Sequence, residues 1–276
     1  MNLSIALAQA EFKLGDPESN FEKASKLINK AAENGAGLIL LPELWVSGYD
    51  LANFKDYASP INEGWFSRVG SAAKNNKIAL GCSMIEEDGG SYYNTFVFYD
   101  SSGSLLGKYR KIHLFEKLKE KDYFQPGIDL INFDFDSVKI GLATCYDLRF
   151  PELFSAHAAA GVELILITAE WPKKRVNHWS LLIKARAIEN QYFVAAVNKV
   201  GESFGAQLGG HSVVVDPMGE ILVEGEDNEV LLLTDINLND GDRVRRWMPV
   251  LKDRKPDLYQ KFHKASKNDC IEQNND

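Results

Sequence analysis

The chain has 276 residues, an apolar fraction of 45%, a charged fraction of 25% and a formal net charge of −8. That composition belongs to a folded globular protein with enough apolar mass for a large core. The acidic balance, with no concentrated basic surface, argues against a nucleic-acid partner, and no apolar run approaches the roughly 20 residues that span a bilayer.

In chain order, Met1 to Gln9 lacks a basic region and reaches Gln9 and Glu11 too early for a signal peptide, so a cytoplasmic location is expected. Leu3 to Gln9 reads as a first strand. Asp16-Pro17 then supplies an N-cap and a first-turn proline to a helix whose apolar face is Phe21, Ala24, Leu27, Ile28 and Ala31, stopped by Asn34-Gly35. Leu38 to Leu41 is a buried strand ending at Pro42-Glu43. Ile78 to Ser83 and Tyr93 to Tyr99 are further strands, the second closed by the turn Asp100-Ser101-Ser102-Gly103. Val138 to Thr144 is a strand running into Cys145. A helix around Pro151 to Ala160, a strand Leu164 to Thr168 and a helix from about His178 to Gln191 follow. Strands Phe193 to Val197, Ser212 to Val215 and Val230 to Thr234 complete the pattern, which is that of an α/β protein with parallel strand pairs. From Lys264 the chain turns polar and Asn-rich, and residues 264–276 are expected to form a flexible tail after one domain of residues 1–263.

One internal echo stands out. Gly35-Ala36-Gly37-Leu38-Ile39-Leu40-Leu41-Pro42-Glu43-Leu44-Trp45 and Gly161-Val162-Glu163-Leu164-Ile165-Leu166-Ile167-Thr168-Ala169-Glu170-Trp171 share a glycine after a helix, a short apolar strand, then glutamate and tryptophan. Two similar halves, each a sheet backed by helices and packed face to face, would make a four-layer α-β-β-α sandwich.

Chemistry-bearing residues gather at strand ends. Cys145 lies at a strand-to-helix turn, where backbone N–H groups and the helix N-terminus favour the thiolate. Glu43 closes a buried strand, where open α/β sheets place ligands. Lys111 lies in Gly107-Lys108-Tyr109-Arg110-Lys111-Ile112-His113-Leu114-Phe115, a basic patch of the kind usually found on a solvated face. Together they would supply a nucleophile, a base and a cation for a developing oxyanion. Cys82, Cys145 and Cys270 form an odd set with no Cys-x-x-Cys spacing, so neither disulfides nor a zinc ribbon is expected. The five histidines show no ligand spacing, and no metal or other cofactor is expected.

Leu41-Pro42-Glu43-Leu44-Trp45, Tyr109-Arg110-Lys111-Ile112-His113-Leu114-Phe115 and Cys145-Tyr146-Asp147-Leu148-Arg149-Phe150-Pro151-Glu152 resemble, in order, the three signatures of the nitrilase superfamily of carbon–nitrogen hydrolases. Tyr93-Asn94-Thr95, Ala185 to Gln191, Gly210-His211-Ser212 and Asp216-Pro217-Met218-Gly219 extend the resemblance from about Ser4 to Tyr259. It implies a nitrilase-type α-β-β-α sandwich with Cys145 as nucleophile, Glu43 as general base and Lys111 as oxyanion stabiliser, joined by the Tyr146 N–H. Glu120 matches the family's second glutamate, with Glu116 a neighbouring candidate.

Within the superfamily the chain is most similar to the ω-amidase branch, which acts on 2-oxo acid monoamides. The run Ala169-Glu170-Trp171-Pro172, then Arg175 and His178-Trp179, resembles bacterial 2-oxoglutaramate amidases linked to methionine salvage. That implies a small-molecule amide substrate, with Arg175 as a fork for its far carboxylate and Trp171 and Tyr49 as walls. Arg149 reads instead as structural. The residues leave open a Cys–His amidase using His157, His178 or His211, an N-carbamoyl amine or short aliphatic amidase, and a catalytically silent binding protein. A homodimer or higher homo-oligomer is expected, with Leu153, Phe154 and Ala158 and the segment Trp247 to Tyr259 as contacts.

Overall fold

The structure, a computed structural model, describes residues 2–203 and 205–262. The expected tail and Cys270 lie outside the described residues. The first half carries β1 (Asn2–Gln9), α1 (Pro17–Glu33), β2 (Leu38–Leu40), α2 (Phe54–Tyr57), α3 (Gly64–Asn76), β3 (Ala79–Asp88), β4 (Ser91–Tyr99) and β5 (Leu105–Arg110). The second carries β6 (Asn132–Phe135), β7 (Val138–Thr144), α4 (Pro151–Ala159), β8 (Leu164–Ala169), α5 (Val176–Asn190), β9 (Phe193–Asn198), the short hairpin β10 (Glu202–Ser203) and β11 (Ala206–Gln207), β12 (Val213–Val215) and β13 (Ile221–Glu224). The chain then crosses back through β14 (Val230–Asn237) and continues into α6 (Asn239–Trp247) and α7 (Val250–Asp253).

Two six-stranded sheets result, in the orders β14-β1-β2-β3-β4-β5 and β13-β12-β9-β8-β7-β6. In each sheet three successive strands are parallel, β1-β2-β3 and β7-β8-β9, with antiparallel strands on both flanks. The sequence echo is therefore structural, since β2 and β8 are the middle strands of equivalent parallel triplets. Alternation along β1 shows how the layers form. Leu3, Ile5 and Leu7 join a core shared with Ile140, Leu142 and Leu166 of the opposite sheet, whereas Ala6 and Ala8 face Ala24 and Ile28 of α1. On the far side, Phe154 of α4 and Ile183 and Ala187 of α5 cover the second sheet. The α-β-β-α sandwich read from the sequence is the fold.

Local signals hold at α1, where the Asp16 carboxylate accepts from the Ser19 N–H at 3.3 Å and Gly35 takes φ +81° just past the end. Elements with weaker periodicity were missed. The supposed solvated patch is strand β5, with Tyr109 buried and Lys108 and Arg110 turned toward buried Glu86 at 3.1 and 2.6 Å. One expected interface fails for a plain reason: Leu153, Phe154 and Ala158 are buried within their own chain beneath α5. In the other proposed contact segment, Trp247, Met248, Leu258 and Tyr259 are exposed. No helix among the described residues is long and apolar enough to cross a membrane.

Candidate active site

β7 delivers Cys145 to the carboxyl edge of its sheet, and the backbone turns there with φ +47°. A left-handed non-glycine residue costs on the order of 1–3 kcal/mol and persists only where its surroundings impose it. A tight helical turn, Cys145–Arg149, follows, and Pro151 opens α4. What imposes the turn is Asp147. Its fully buried carboxylate accepts from the Thr144 N–H at 2.9 Å, the Tyr109 hydroxyl at 2.7 Å and the His113 N–H at 3.0 Å. The His113 ring Nδ1 lies 2.8 Å away, and that ring stacks on Phe150 with centroids 3.6 Å apart. One carboxylate thus locks the Cys145 turn to the chain carrying Lys111.

Lys111 is 1% exposed, and its ammonium donates to Glu43 Oε1 and Glu120 Oε1, each at 2.9 Å. Glu43 Oε1 also accepts from Asn94 Nδ2 at 2.8 Å, while Oε2 accepts from the Glu170 N–H at 3.1 Å. Glu120 Oε2 accepts from the Phe115 N–H at 2.6 Å, and the Tyr49 hydroxyl bonds Glu120. Buried ions persist only with partners of this quality, because desolvation costs several kcal/mol per charge. Burial by itself lowers the Lys111 pKa, but Glu120 and Glu43 reverse that and hold the ammonium well above the ordinary lysine value. Glu116, the neighbouring candidate, is at the surface paired with Lys121. The structure therefore brings Glu43, Lys111, Glu120, Tyr49 and Cys145 together.

The charge state of Cys145 differs from the sequence expectation. Burial pushes its pKa well above the ordinary thiol value; Glu43 and then Glu120 add to the rise, and Lys111 opposes it. A turn N–H or helix terminus offers a fraction of a charge, whereas two carboxylates offer whole ones. These surroundings favour the thiol over the thiolate in the free protein, with the Glu43 carboxyl group beside it. The histidines considered as bases are elsewhere: His157 Nδ1 meets Asn132 at 2.6 Å, with burial lowering its pKa to about 4, His178 lies beside Arg149, and His211 beside Glu224. Cys82 is a fully buried core thiol whose pKa burial raises to about 12. No cluster of His, Cys, Asp and Glu suited to a metal occurs among the described residues.

Cys145 opens into a cavity of about 590 Å³. Tyr49, Phe115, Leu118, Tyr146, Trp171, Pro172 and Leu208 give it apolar walls, and Lys117, Arg149, Lys173, Lys174 and Arg175 line it as well. The Trp171 indole N–H donates to the Arg175 carbonyl at 2.8 Å, and the Arg175 guanidinium lies 5.6 Å from the Phe115 ring centroid. Arg149, read as structural, also lines the cavity, 4.8 Å from the Trp171 ring centroid. Sequence reasoning passed over Asn94, Asp147, Glu170 and Lys199. The internal echo did carry a signal for Glu170, a second glutamate after an apolar strand, though one place later than Glu43 in the shared register.

The sequence matches the profile described as carbon-nitrogen hydrolase over residues 4–246. It is 37% identical to a 2-oxoglutaramate amidase of Bacillus subtilis, over 94% of this chain and 100% of that protein. With the omega-amidase NIT2 of Mus musculus it shares 36% identity over 87% and 91% of the two chains. Among solved structures, a CN-hydrolase superfamily protein of Xanthomonas campestris with an arsenic adduct in its active site superposes with TM-score 0.87 at 27% identity, covering 92% of this chain and 98% of the other. An amidase mutant of Nesterenkonia sp. AN1, with acrylamide added to its active-site cysteine, superposes with TM-score 0.84 at 29% identity, covering 94% and 99%.

Proposed function

The chain belongs to the carbon–nitrogen hydrolase family, and from that premise we propose that it hydrolyses the terminal amide of a 2-oxo acid monoamide, such as 2-oxoglutaramate or 2-oxosuccinamate, to the dicarboxylic acid and ammonia. The observation that carries this reading is the convergence of Glu43, Lys111 and Glu120 on Cys145 at the end of a cavity lined with lysine and arginine. Five cations beside apolar walls suit a small acyl chain that ends in a carboxylate, and Arg175 or Arg149 presents the planar fork that a carboxylate prefers. The similarity to the 2-oxoglutaramate amidase of Bacillus subtilis supports the same substrate class.

In this mechanism Glu43 takes the Sγ proton as sulfur attacks the amide carbon. The oxyanion forms between the Lys111 ammonium and the Tyr146 N–H, and Glu43 passes its proton to the departing nitrogen, leaving a thioester and ammonia. Glu43 next takes a proton from water, whose oxygen attacks the thioester, and returns it to sulfur as the acid departs. Glu120 and Tyr49 hold Lys111 and Glu43 in place throughout. A thiol at rest is consistent with this cycle, since the proton leaves only when the acyl carbon is in position. Methionine salvage, in which glutamine-dependent transamination leaves 2-oxoglutaramate behind, is the proposed setting. The proposed assembly is a homodimer or larger, through the exposed segment Trp247 to Tyr259, with residues 1–263 as one folding unit.

Ammonia release from 2-oxoglutaramate, measured beside glutamine, 2-oxosuccinamate, a simple nitrile and N-carbamoyl putrescine, tests the reading. Highest kcat/KM on the 2-oxo monoamides is expected. Preference for the nitrile, or release of carbon dioxide with ammonia from the carbamoyl amine, overturns it.

A further inference from the structure

One buried pair of ionisable groups has no part in the cycle above. Glu170, the first residue after β8, lines the cavity while only 8% exposed. Its Oε1 lies 2.7 Å from the ammonium of Lys199, the first residue after β9 and 0% exposed. Lys199 also donates to the Gly48 carbonyl at 3.3 Å. The backbone of Glu170 flanks the reacting centre: its N–H donates to Glu43 Oε2 at 3.1 Å, and its carbonyl oxygen is 4.0 Å from Cys145 Sγ. The carboxyl group thus branches from a residue that already brackets the nucleophile.

Stability gives such a pair little reason to exist, because replacing a buried ion pair with apolar residues of similar volume is often neutral or stabilising. A polar group set into a mostly apolar cavity wall is instead what fixes the orientation of a small ligand. We infer that the Glu170 carboxyl group, held by Lys199, reads an oxygen substituent on the acyl chain beyond the scissile amide and so determines specificity for 2-oxo over unsubstituted acid amides. This rests on the amide-hydrolase reading above.

An oxo oxygen accepts hydrogen bonds, so its partner must donate. Burial pushes the Glu170 carboxyl up to about 7 against the opposing pull of Lys199, so it is half-protonated near neutrality and carries its proton below it. The groups facing it are Lys199 from the end of β9, Glu43 from the end of β2 and the Ser203 hydroxyl of β10. Preference for the oxo substrate should therefore be greatest in mild acid and weaken as the carboxyl ionises.

The test compares kcat/KM of the full chain for 2-oxoglutaramate and for glutaric acid monoamide, which differ only at the oxo group, from about pH 5.5 to about pH 8.5. Glu170→Leu should lower the value for 2-oxoglutaramate about tenfold more than the value for the plain monoamide, with the difference mainly in KM. Glu170→Gln, which keeps a donor, should restore most of the loss and flatten the fall in the ratio that the wild type shows through about pH 7. Equal losses on both amides would mean a brace for Glu43, and no loss on either would mean no part in the reaction; both overturn the inference. If Glu170→Leu does not fold, a Glu170→Gln protein that keeps the wild-type pH dependence overturns it. A wild type that releases ammonia from neither amide overturns the hydrolase reading, and this inference with it.

Discussion

The two halves of the molecule place a glutamate after equivalent strands, Glu43 beyond β2 and Glu170 beyond β8, and each is paired with a buried lysine. The pairs differ in their company. Lys111 is shared between two carboxylates, and Glu43 accepts further bonds from Asn94 and the Glu170 N–H. Lys199 serves one carboxylate and a backbone carbonyl. The first arrangement surrounds the Cys145 sulfur with charge; the second lines the cavity wall beside it. Cys145 belongs to neither glutamate's strand, since it follows β7, the counterpart of β1. Two similar sheets present two similar strand ends, and different neighbours make one a charged cluster around Cys145 and the other a cavity wall.

The sharpest test of that asymmetry is removal of the sulfur. Cys145→Ala should cut ammonia release by on the order of 10⁴ or more, the scale of losing a nucleophile, with the unfolding midpoint little changed. A residual rate within about tenfold of wild type would break the assignment.

Swapping the lysines comes next. Lys111→Met leaves two buried carboxylates facing each other and should cost about 3–5 kcal/mol in urea unfolding, besides about 10²–10³ in kcat from the lost oxyanion partner. Lys199→Met strands a single carboxyl that can neutralise, so it should cost only about 1–3 kcal/mol. Equal losses would erase the distinction between the pairs.

The pH dependence of stability reports on Glu170 directly. Its folded pKa of about 7 lies above the unfolded glutamate value of about 4.3. Its contribution is therefore fully present below the unfolded value and is lost as pH rises through the folded one, with a slope of at most about 1.4 kcal/mol per pH unit. His157 acts in the opposite sense. Its folded pKa of about 4 lies below the unfolded value of about 6.5, so it costs stability as pH falls through that window. The difference between wild type and Glu170→Gln cancels the histidine and should shrink from pH 5 to pH 8. A constant difference would mean that Glu170 ionises normally.

The smallest effect expected is on thiol labelling. Because burial and two carboxylates hold the Cys145 thiol protonated, iodoacetamide should alkylate the free protein near neutral pH no faster than a model thiol. Labelling many times faster would show that Lys111 outweighs the carboxylates.

Much of the fold was legible because burial alternates with strand and helix period. β1, β2, β8 and β9 are nearly continuous apolar runs, and α1 carries its stops at Asp16-Pro17 and Asn34-Gly35. α3 was not read, since Gly64 and Gly70 interrupt its pattern. β5 was hidden because Lys108 and Arg110 flank inward-facing Tyr109, and only the partner strand shows that Glu86 awaits them. In the site, signatures supplied Glu43, Lys111 and Cys145, and the neighbouring loop offered Glu120 and Glu116 as alternatives for a second glutamate. Asp147 and Lys199 escaped because their roles lie in contacts to residues far along the chain.

Residue order alone determined the central strands of the two sheets, the echo between them and the family to which the chain belongs, because apolar periodicity and strand-end motifs are local. Tertiary structure decided the ionisation of Cys145, the choice of Glu120 over Glu116 and the placement of Glu170 on the cavity wall. Those outcomes depend on which charges meet within a few ångströms after burial, and electrostatic interaction in a poorly solvated interior is set by distance in space.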